Sequence, residues 1–175
     1  DQVADTSDSC ALGDTGWIAS STTDHDSDGC QDAVEDTDDD NDGISDSLDS
    51  CRTGDMGWTP DSSTDYDSDG CQDSLEDLDD DNDGVNDLAP DDCLTGDLGW
   101  TSSSTTDHDS DGCQDSSTED DDDDNDGIVD AQDDCQTGDL GWTSSTPGTD
   151  YDADGCQDSL EDLDDDNDGV ADSAP

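Results

Sequence analysis

Positive charge is nearly absent from this chain: Arg52 is its one Lys or Arg, against 58 Asp and Glu, and the formal net charge is −57 over 175 residues. A surface this acidic repels nucleic-acid phosphates and anionic lipid headgroups, so neither nucleic acid nor a membrane is an expected partner. Long apolar runs are also missing, and nothing approaches the roughly 18 residues of a membrane span. There is no Phe, and large apolar side chains are few: four Trp, two Tyr and one Met, with scattered Leu, Ile and Val. A composition of this kind cannot bury enough apolar surface to offset chain entropy, which makes disorder the default outcome. Something other than a hydrophobic core must organise the chain. The first residues, Asp1-Gln2, include neither an initiator Met nor a signal peptide, as expected of a mature or excised piece of a secreted precursor.

What the chain does have is repetition. Cys10, Cys51, Cys93 and Cys135 each open a unit, at steps of 41, 42 and 42 residues. Each unit continues with a Gly-Asp-x-Gly-Trp segment ending at Trp17, Trp58, Trp100 or Trp142, then a Ser/Thr-rich stretch. An acidic block with a second Cys (Cys30, Cys71, Cys113, Cys156) follows, and then a block containing Asp-Asn-Asp-Gly. The organisation is therefore 1–9 as the end of a preceding repeat, 10–50 as repeat 1, 51–92 as repeat 2, 93–134 as repeat 3 and 135–175 as repeat 4. Gly, Asp, Ser and Asn dominate and no 3.6-residue apolar period appears, so little helix or strand is expected. Single helical turns are expected near Ser74-Leu75-Glu76 and Ser159-Leu160-Glu161. Units that touch only their neighbours would stack into an elongated rod. Asp1-Gln2-Val3-Ala4-Asp5 matches Asp168-Gly169-Val170-Ala171-Asp172, so both ends share one phase of the repeat. That fits a piece cut from a longer array, or copies joined head to tail.

Within each repeat the pattern D-x-D-x-D-G-x-x-D-x-x-E/D occurs twice. It is a spacing that surrounds calcium with oxygen: side chains at positions 1, 3 and 5, a Gly at 6 for the sharp turn, a backbone carbonyl at 7, position 9, and a closing carboxylate at 12. In repeat 1 the candidate ligands are Asp24, Asp26, Asp28, Cys30 through its carbonyl, Asp32 and Glu35. The second loop offers Asp38, Asp40, Asp42, Ile44, Asp46 and Asp49. Repeat 2 supplies Asp65, Asp67, Asp69, Cys71, Asp73 and Glu76, then Asp79, Asp81, Asp83, Val85 and Asp87. Repeat 3 supplies Asp107, Asp109, Asp111, Cys113, Asp115 and Glu119, then Asp122, Asp124, Asp126, Ile128, Asp130 and Asp133. Repeat 4 supplies Asp150, Asp152, Asp154, Cys156, Asp158 and Glu161, then Asp164, Asp166, Asp168, Val170 and Asp172. Gly holds position 6 in all eight loops, a phase that random acidic runs would not keep. About eight or more calcium ions per chain are expected.

Position 12 departs from the pattern three times. It is Thr118 in repeat 3, where Glu119 one step later implies a one-residue bulge. It is Pro90 in repeat 2, after which Asp91 and Asp92 can serve, and Pro175 in repeat 4, where Asp1 or Asp5 of another copy would close the site.

The loops are not EF-hands, because Ser20-Ser21-Thr22-Thr23 before the first is no helix. With their interspersed Cys, as in Asp24-His25-Asp26-Ser27-Asp28-Gly29-Cys30-Gln31-Asp32, they resemble thrombospondin type 3 repeats, over about 25 residues of each 42-residue unit. The likeness is closer to arrays in large microbial surface proteins than to animal matrix proteins. It implies a chain wrapped around calcium ions, with little regular secondary structure and disulfides stapling the turns. The Gly-Trp-Ser/Thr half and the Cys at loop position 7 lie outside that family's pattern.

Eight Cys with almost no core read as disulfides, hence an oxidising, extracellular setting. They allow 105 pairings. Pairing within units (Cys10–Cys30, Cys51–Cys71, Cys93–Cys113, Cys135–Cys156) leaves no orphan and is favoured. Pairing between units (Cys30–Cys51, Cys71–Cys93, Cys113–Cys135) would free Cys10 and Cys156 to link chains. Each Trp is expected to pack over a disulfide or turn, with a glycan platform as the sharper alternative. His25 and His108, which alternate with Tyr66 and Tyr151 at loop position 2, are expected to be exposed and non-liganding. The Ser/Thr clusters suit O-linked glycans or serve as polar filler.

The expected function is structural: an extracellular calcium-stiffened rod that joins head to tail in a fibre or surface appendage. The alternative is a calcium-dependent adhesin or glycan-binding segment of a larger surface protein. Paired carboxylates also occur in glycosidases, but near-identical units without a core offer no contrasting environments to separate their pKa values, so no catalytic residue is expected.

Overall fold

The structure is a computed structural model that describes residues 2–88, 90–145 and 147–172. Those residues form turns and bends, with no α-helix or β-strand among them. Asp, Asn and Ser side chains bond to nearby backbone N–H groups and so compete with regular ladders. The chain divides into two compact units, Asp1–Asp80 and Asp81–Pro175, with the boundary falling inside the acidic loop that begins at Asp79. Among the described residues no helix is long and apolar enough to cross a membrane.

The interior is the reverse of an ordinary core. Among the described residues the buried apolar side chains are Cys30, Cys71, Cys113 and Cys156, accompanied by sixteen buried aspartates, while Leu12, Leu48, Leu88 and Leu163 lie exposed. All eight cysteines pair, and all four bonds lie within units: Cys10–Cys30, Cys51–Cys71, Cys93–Cys113 and Cys135–Cys156. Each closes a loop of about 20 residues, worth about 3 kcal/mol by loop-closure entropy. Four such bonds mark a protein matured in an oxidising compartment, as secreted and extracellular proteins are.

The expected single turns are present. The Gln72 carbonyl accepts N–H bonds from Leu75, Glu76 and Asp77, and the Gln157 carbonyl accepts from Leu160, Glu161 and Asp162. Gln31 does the same for Val34, Glu35 and Asp36. Each turn ends one loop and aims the chain into the next.

Consecutive repeats are joined by one recurring device. Gly54 N–H donates to Asp40 Oδ2 of the repeat before it at 2.8 Å, and Asp55 N–H donates to Glu76 Oε2 at 2.9 Å. Gly96 and Asp97 repeat this with Asp81 and Glu119, as do Gly138 and Asp139 with Asp124 and Glu161. A Cβ on Gly138 would stand 2.8 Å from both carboxylates, which explains the glycine.

The histidines differ from expectation in being half-buried. His25 Nε2–H donates to the Gly54 carbonyl at 3.1 Å and His108 Nε2–H to the Gly138 carbonyl at 2.9 Å, so each ring braces the following repeat. The Trp side chains are half-buried. Trp17 Nε1–H donates to the Asp14 carbonyl at 3.0 Å.

Candidate metal-binding loops

The eight loops share one backbone. Position 4 is left-handed in every one, at Ser27, Asn41, Ser68, Asn82, Ser110, Asn125, Ala153 and Asn167, with φ between 51° and 66°. Position 6 is a glycine with φ between 87° and 104°. Two left-handed residues two apart curl the chain so that the side chains at 1, 3 and 5 converge. The N–H of position 7 then donates to the position 5 carboxylate in all eight, from Cys30 to Asp28 at 2.8 Å through Val170 to Asp168 at 2.9 Å. Position 9 closes the ring twice over, as at Asp32. Its N–H donates to the Thr23 carbonyl at 3.2 Å, and its Oδ1 accepts the His25 N–H at 3.1 Å.

In repeats 1 and 3 the second loops show how these bonds engage one carboxylate oxygen and leave the other. Asp42 Oδ1 accepts the Ile44 N–H and Asp126 Oδ1 the Ile128 N–H, while Oδ2 of each is buried without a hydrogen-bond partner. Asp49 and Asp133 behave alike: Oδ1 accepts the N–H of Cys51 or Cys135, and Oδ2 is buried and bare. Ligand atoms from Asp24, Asp26 and Asp28 lie within 4.8 Å of one another, as do those of Asp38, Asp40 and Asp42 and of Asp65, Asp67 and Asp69. Buried carboxylate oxygens that converge without donors require a cation or a proton. Backbone-fixed, oxygen-only donor sets suit a hard divalent ion, and these clusters could hold metal ions. The Cys30 sulfur lies near Asp28 and Asp36 but belongs to a cystine, so a hard ion there would rest on the carboxylates.

Electrostatics agree with that geometry. Burial, followed by Coulombic repulsion from neighbouring aspartates, raises Asp39, Asp49, Asp109, Asp126 and Asp133 to about 6. Backbone or side-chain hydrogen bonds offset part of this at Asp49, Asp109, Asp126 and Asp133, and Arg52 offsets part at Asp39. Asp123 reaches about 7 through burial and the charges of Asp130, Asp115 and Asp120.

The closing acids divide into two kinds. Glu35 accepts N–H bonds from Gln31 through Oε1 and from Asp14 through Oε2, and Glu76 and Glu161 do the same in their repeats. Glu119 takes this place despite its shifted position, accepting from Gln114 and Asp97, so the extra residue at Thr118 is absorbed before it. In the second loops the acids at Asp49 and Asp133 carry the bare oxygens. Asp91 takes the closing place after Pro90, accepting the Cys93 N–H at 2.8 Å. Asp92 instead donates its N–H to the Asp111 carbonyl. Pro175 and Asp1 fall outside the described residues.

Two sets of residues escaped the spacing argument. Asp36, between the loops, accepts from Thr37 and Asp38 through Oδ1, keeps Oδ2 buried and bare, and gathers with Asp32 and Asp39. A single-loop template ends at position 12 and assigns position 2 no ligand, so neither Asp36 nor Asp39 registers. The second set is Asn41, Asn125 and Asn167. They occupy the left-handed position 4 and donate Nδ2–H to first-loop carboxylates: Asn41 to Asp26, Asn125 to Asp109 and Asp111, and Asn167 to Asp154. The invariance of Asp-Asn-Asp-Gly across the four repeats was the available signal.

In comparisons with known proteins, no family model matches this chain and no curated protein matches it.

Proposed function

We propose that the chain is an extracellular structural protein: a calcium-stiffened array of repeats, resembling thrombospondin type 3 repeats, that joins copies of itself head to tail in a fibre or surface appendage. Buried, converging aspartate oxygens without donors, in a chain with one cation, carry this reading. In each loop the ion would be held by the aspartates at positions 1, 3 and 5, by the carbonyl at 7, by position 9 and by a closing carboxylate. It supplies the positive charge that lets acidic turns pack. Eight such ions would offset only about 16 of the 57 excess charges, so order should depend on both calcium and salt.

Two observations support the packing of a further repeat, of the same or another copy, against these faces. Asp40, Asp42, Asp124 and Asp126 are buried, while the equivalent Asp166 and Asp168 of repeat 4 are exposed on a loop of the same backbone. Asp8 accepts the Cys10 N–H and crowds Gly29 as Asp49 crowds Gly70, so it offers a closing carboxylate to a second loop from outside repeat 1. The Ser/Thr stretches would carry O-linked glycans, and no catalytic role is assigned.

Small-angle scattering on the oxidised protein tests this, first with millimolar calcium and then with excess chelator. A stiff particle or multi-chain assembly that becomes a flexible coil on chelation is expected. An unchanged profile would sink the proposal.

A further inference from the structure

Arg52 is the one cation this chain has to place, and from an exposed position it reaches a buried acid. Its Nη2 lies 3.3 Å from Asp39 Oδ2 and 3.7 Å from Asp46 Oδ2. Asp39 belongs to the inter-loop cluster of repeat 1, where donor atoms of Asp32, Asp36 and Asp39 gather within 4.8 Å, outside either loop's own ring of positions 1, 3 and 5. Asp39 is 3% exposed, and its Oδ1 is buried with no hydrogen-bond partner. Asp36 Oδ2 is buried and bare as well. The guanidinium thus reaches one oxygen of a pocket that still holds uncompensated ones. An open cleft lined by Asp32, Asp39, Arg52, Gly54 and Glu76 connects the cluster to solvent.

Repeat 3 has the same acids without the arginine. Asp120 and Asp123 are 9% and 8% exposed, and Oδ2 of the first and Oδ1 of the second are buried without partners. Asp115 and Asp130 flank them: Asp115 Oδ1 accepts the His108 N–H, and Asp130 Oδ1 accepts the Asp123 N–H at 3.1 Å. The residue in the place of Arg52 is Gln136, a neutral side chain whose Nε2–H donates to the Asp130 carbonyl at 2.6 Å. Backbone N–H groups preset the carboxylates of Asp115, Asp120 and Asp130, and among the described residues no Lys or Arg side chain reaches the cluster.

The geometry points to a third kind of metal site: Asp115, Asp120 and Asp123 hold a hard divalent cation between the two loops of repeat 3, while Arg52 fills the equivalent place in repeat 1. Carboxylate-only donors, two of them on buried aspartates, select calcium or magnesium over softer metals. The arginine marks the place where repeat 1 substitutes a fixed charge for an exchangeable one. This inference rests on the calcium reading of the loops and adds a site to it.

The test is native mass spectrometry of the oxidised full chain at saturating calcium, each variant counted against its own metal-free mass. The wild type should take up more ions than its eight loops. Asp123→Asn, which keeps an oxygen acceptor but loses the charge, should take up one fewer, and Arg52→Gln one more. Should Asp123→Asn fail to fold by near-ultraviolet circular dichroism, Arg52→Gln decides alone. Uptake of eight ions with both variants equal to wild type overturns the inter-loop site and leaves the loops standing. Uptake of none overturns both.

Discussion

At Asp126 the division of labour inside one carboxylate is plain: Oδ1 takes the Ile128 N–H at 2.7 Å and fixes the turn, and Oδ2 waits buried beside Asp124 and Asp122. Asp126→Asn keeps the first task and abolishes the second. Calcium affinity at that loop should fall by more than the ~10-fold typical of a lost supporting group, with the other loops unchanged, by terbium-luminescence titration. Asp61→Asn, an exposed residue whose carboxylate accepts from Ser63, keeps the backbone bond to Asp65 and should leave binding as it was. Acidity separates the two states of the protein. Without metal, carboxyls raised to about 6 or 7 favour the fold when protonated. That contribution is full below the unfolded value near ~4 and is lost as pH rises through 6 to 7. With calcium the sign reverses, because the ion requires the ionised form. Chelated protein should therefore show more tryptophan near-ultraviolet dichroism at pH 4 than at pH 7.5, and calcium-loaded protein less. The opposite ordering in the chelated sample would contradict the cause given for these shifts.

At the scale of the loop and its staple, the disulfide and the metal ring share position 7, since Cys30 or its equivalent donates its N–H to the position 5 aspartate while its sulfur binds the opening Cys. Reducing one bond should cost about 3 kcal/mol through the unfolded chain. It should also weaken calcium binding in the first loop of that repeat more than in the second. A Cys93→Ser, Cys113→Ser pair followed by calorimetric titration reads both effects. Gly138→Ala should cost about 1–3 kcal/mol, because its methyl meets Asp124 and Glu161. Much at this scale was legible from sequence: a fixed glycine phase forces the turn, and within-unit cysteines at constant spacing were favoured to pair. The outward reach of Glu35 to the Asp14 N–H, the place of Asp36 between loops and the bracing by His25 were not. Those contacts depend on how one turn folds against another, and a pattern read along a single loop carries no term for its neighbours.

At the scale of the whole chain, the apolar side chains that a globular protein would hide are outside, and the charges it would expose are inside. Stability should follow ionic conditions rather than temperature-dependent hydrophobic burial. Unfolding by chelator should be steep in free calcium and eased by low salt, where self-repulsion of a −57 chain is least screened. Chelation in 10 mM and in 500 mM salt, monitored by scattering, checks this. Equal midpoints in both would mean that repulsion is not what the ions hold in check.

The joint between repeats has a consequence for how such a chain changes over generations. Gly54, Gly96 and Gly138 each receive the preceding repeat through the same backbone N–H, and Asp49, Asp91 and Asp133 each hand on the same carboxylate. A repeat therefore presents to its successor the face its predecessor presented to it. Copies can be gained or lost by recombination with no fresh interface to evolve, which leaves length a quantity that selection can adjust freely.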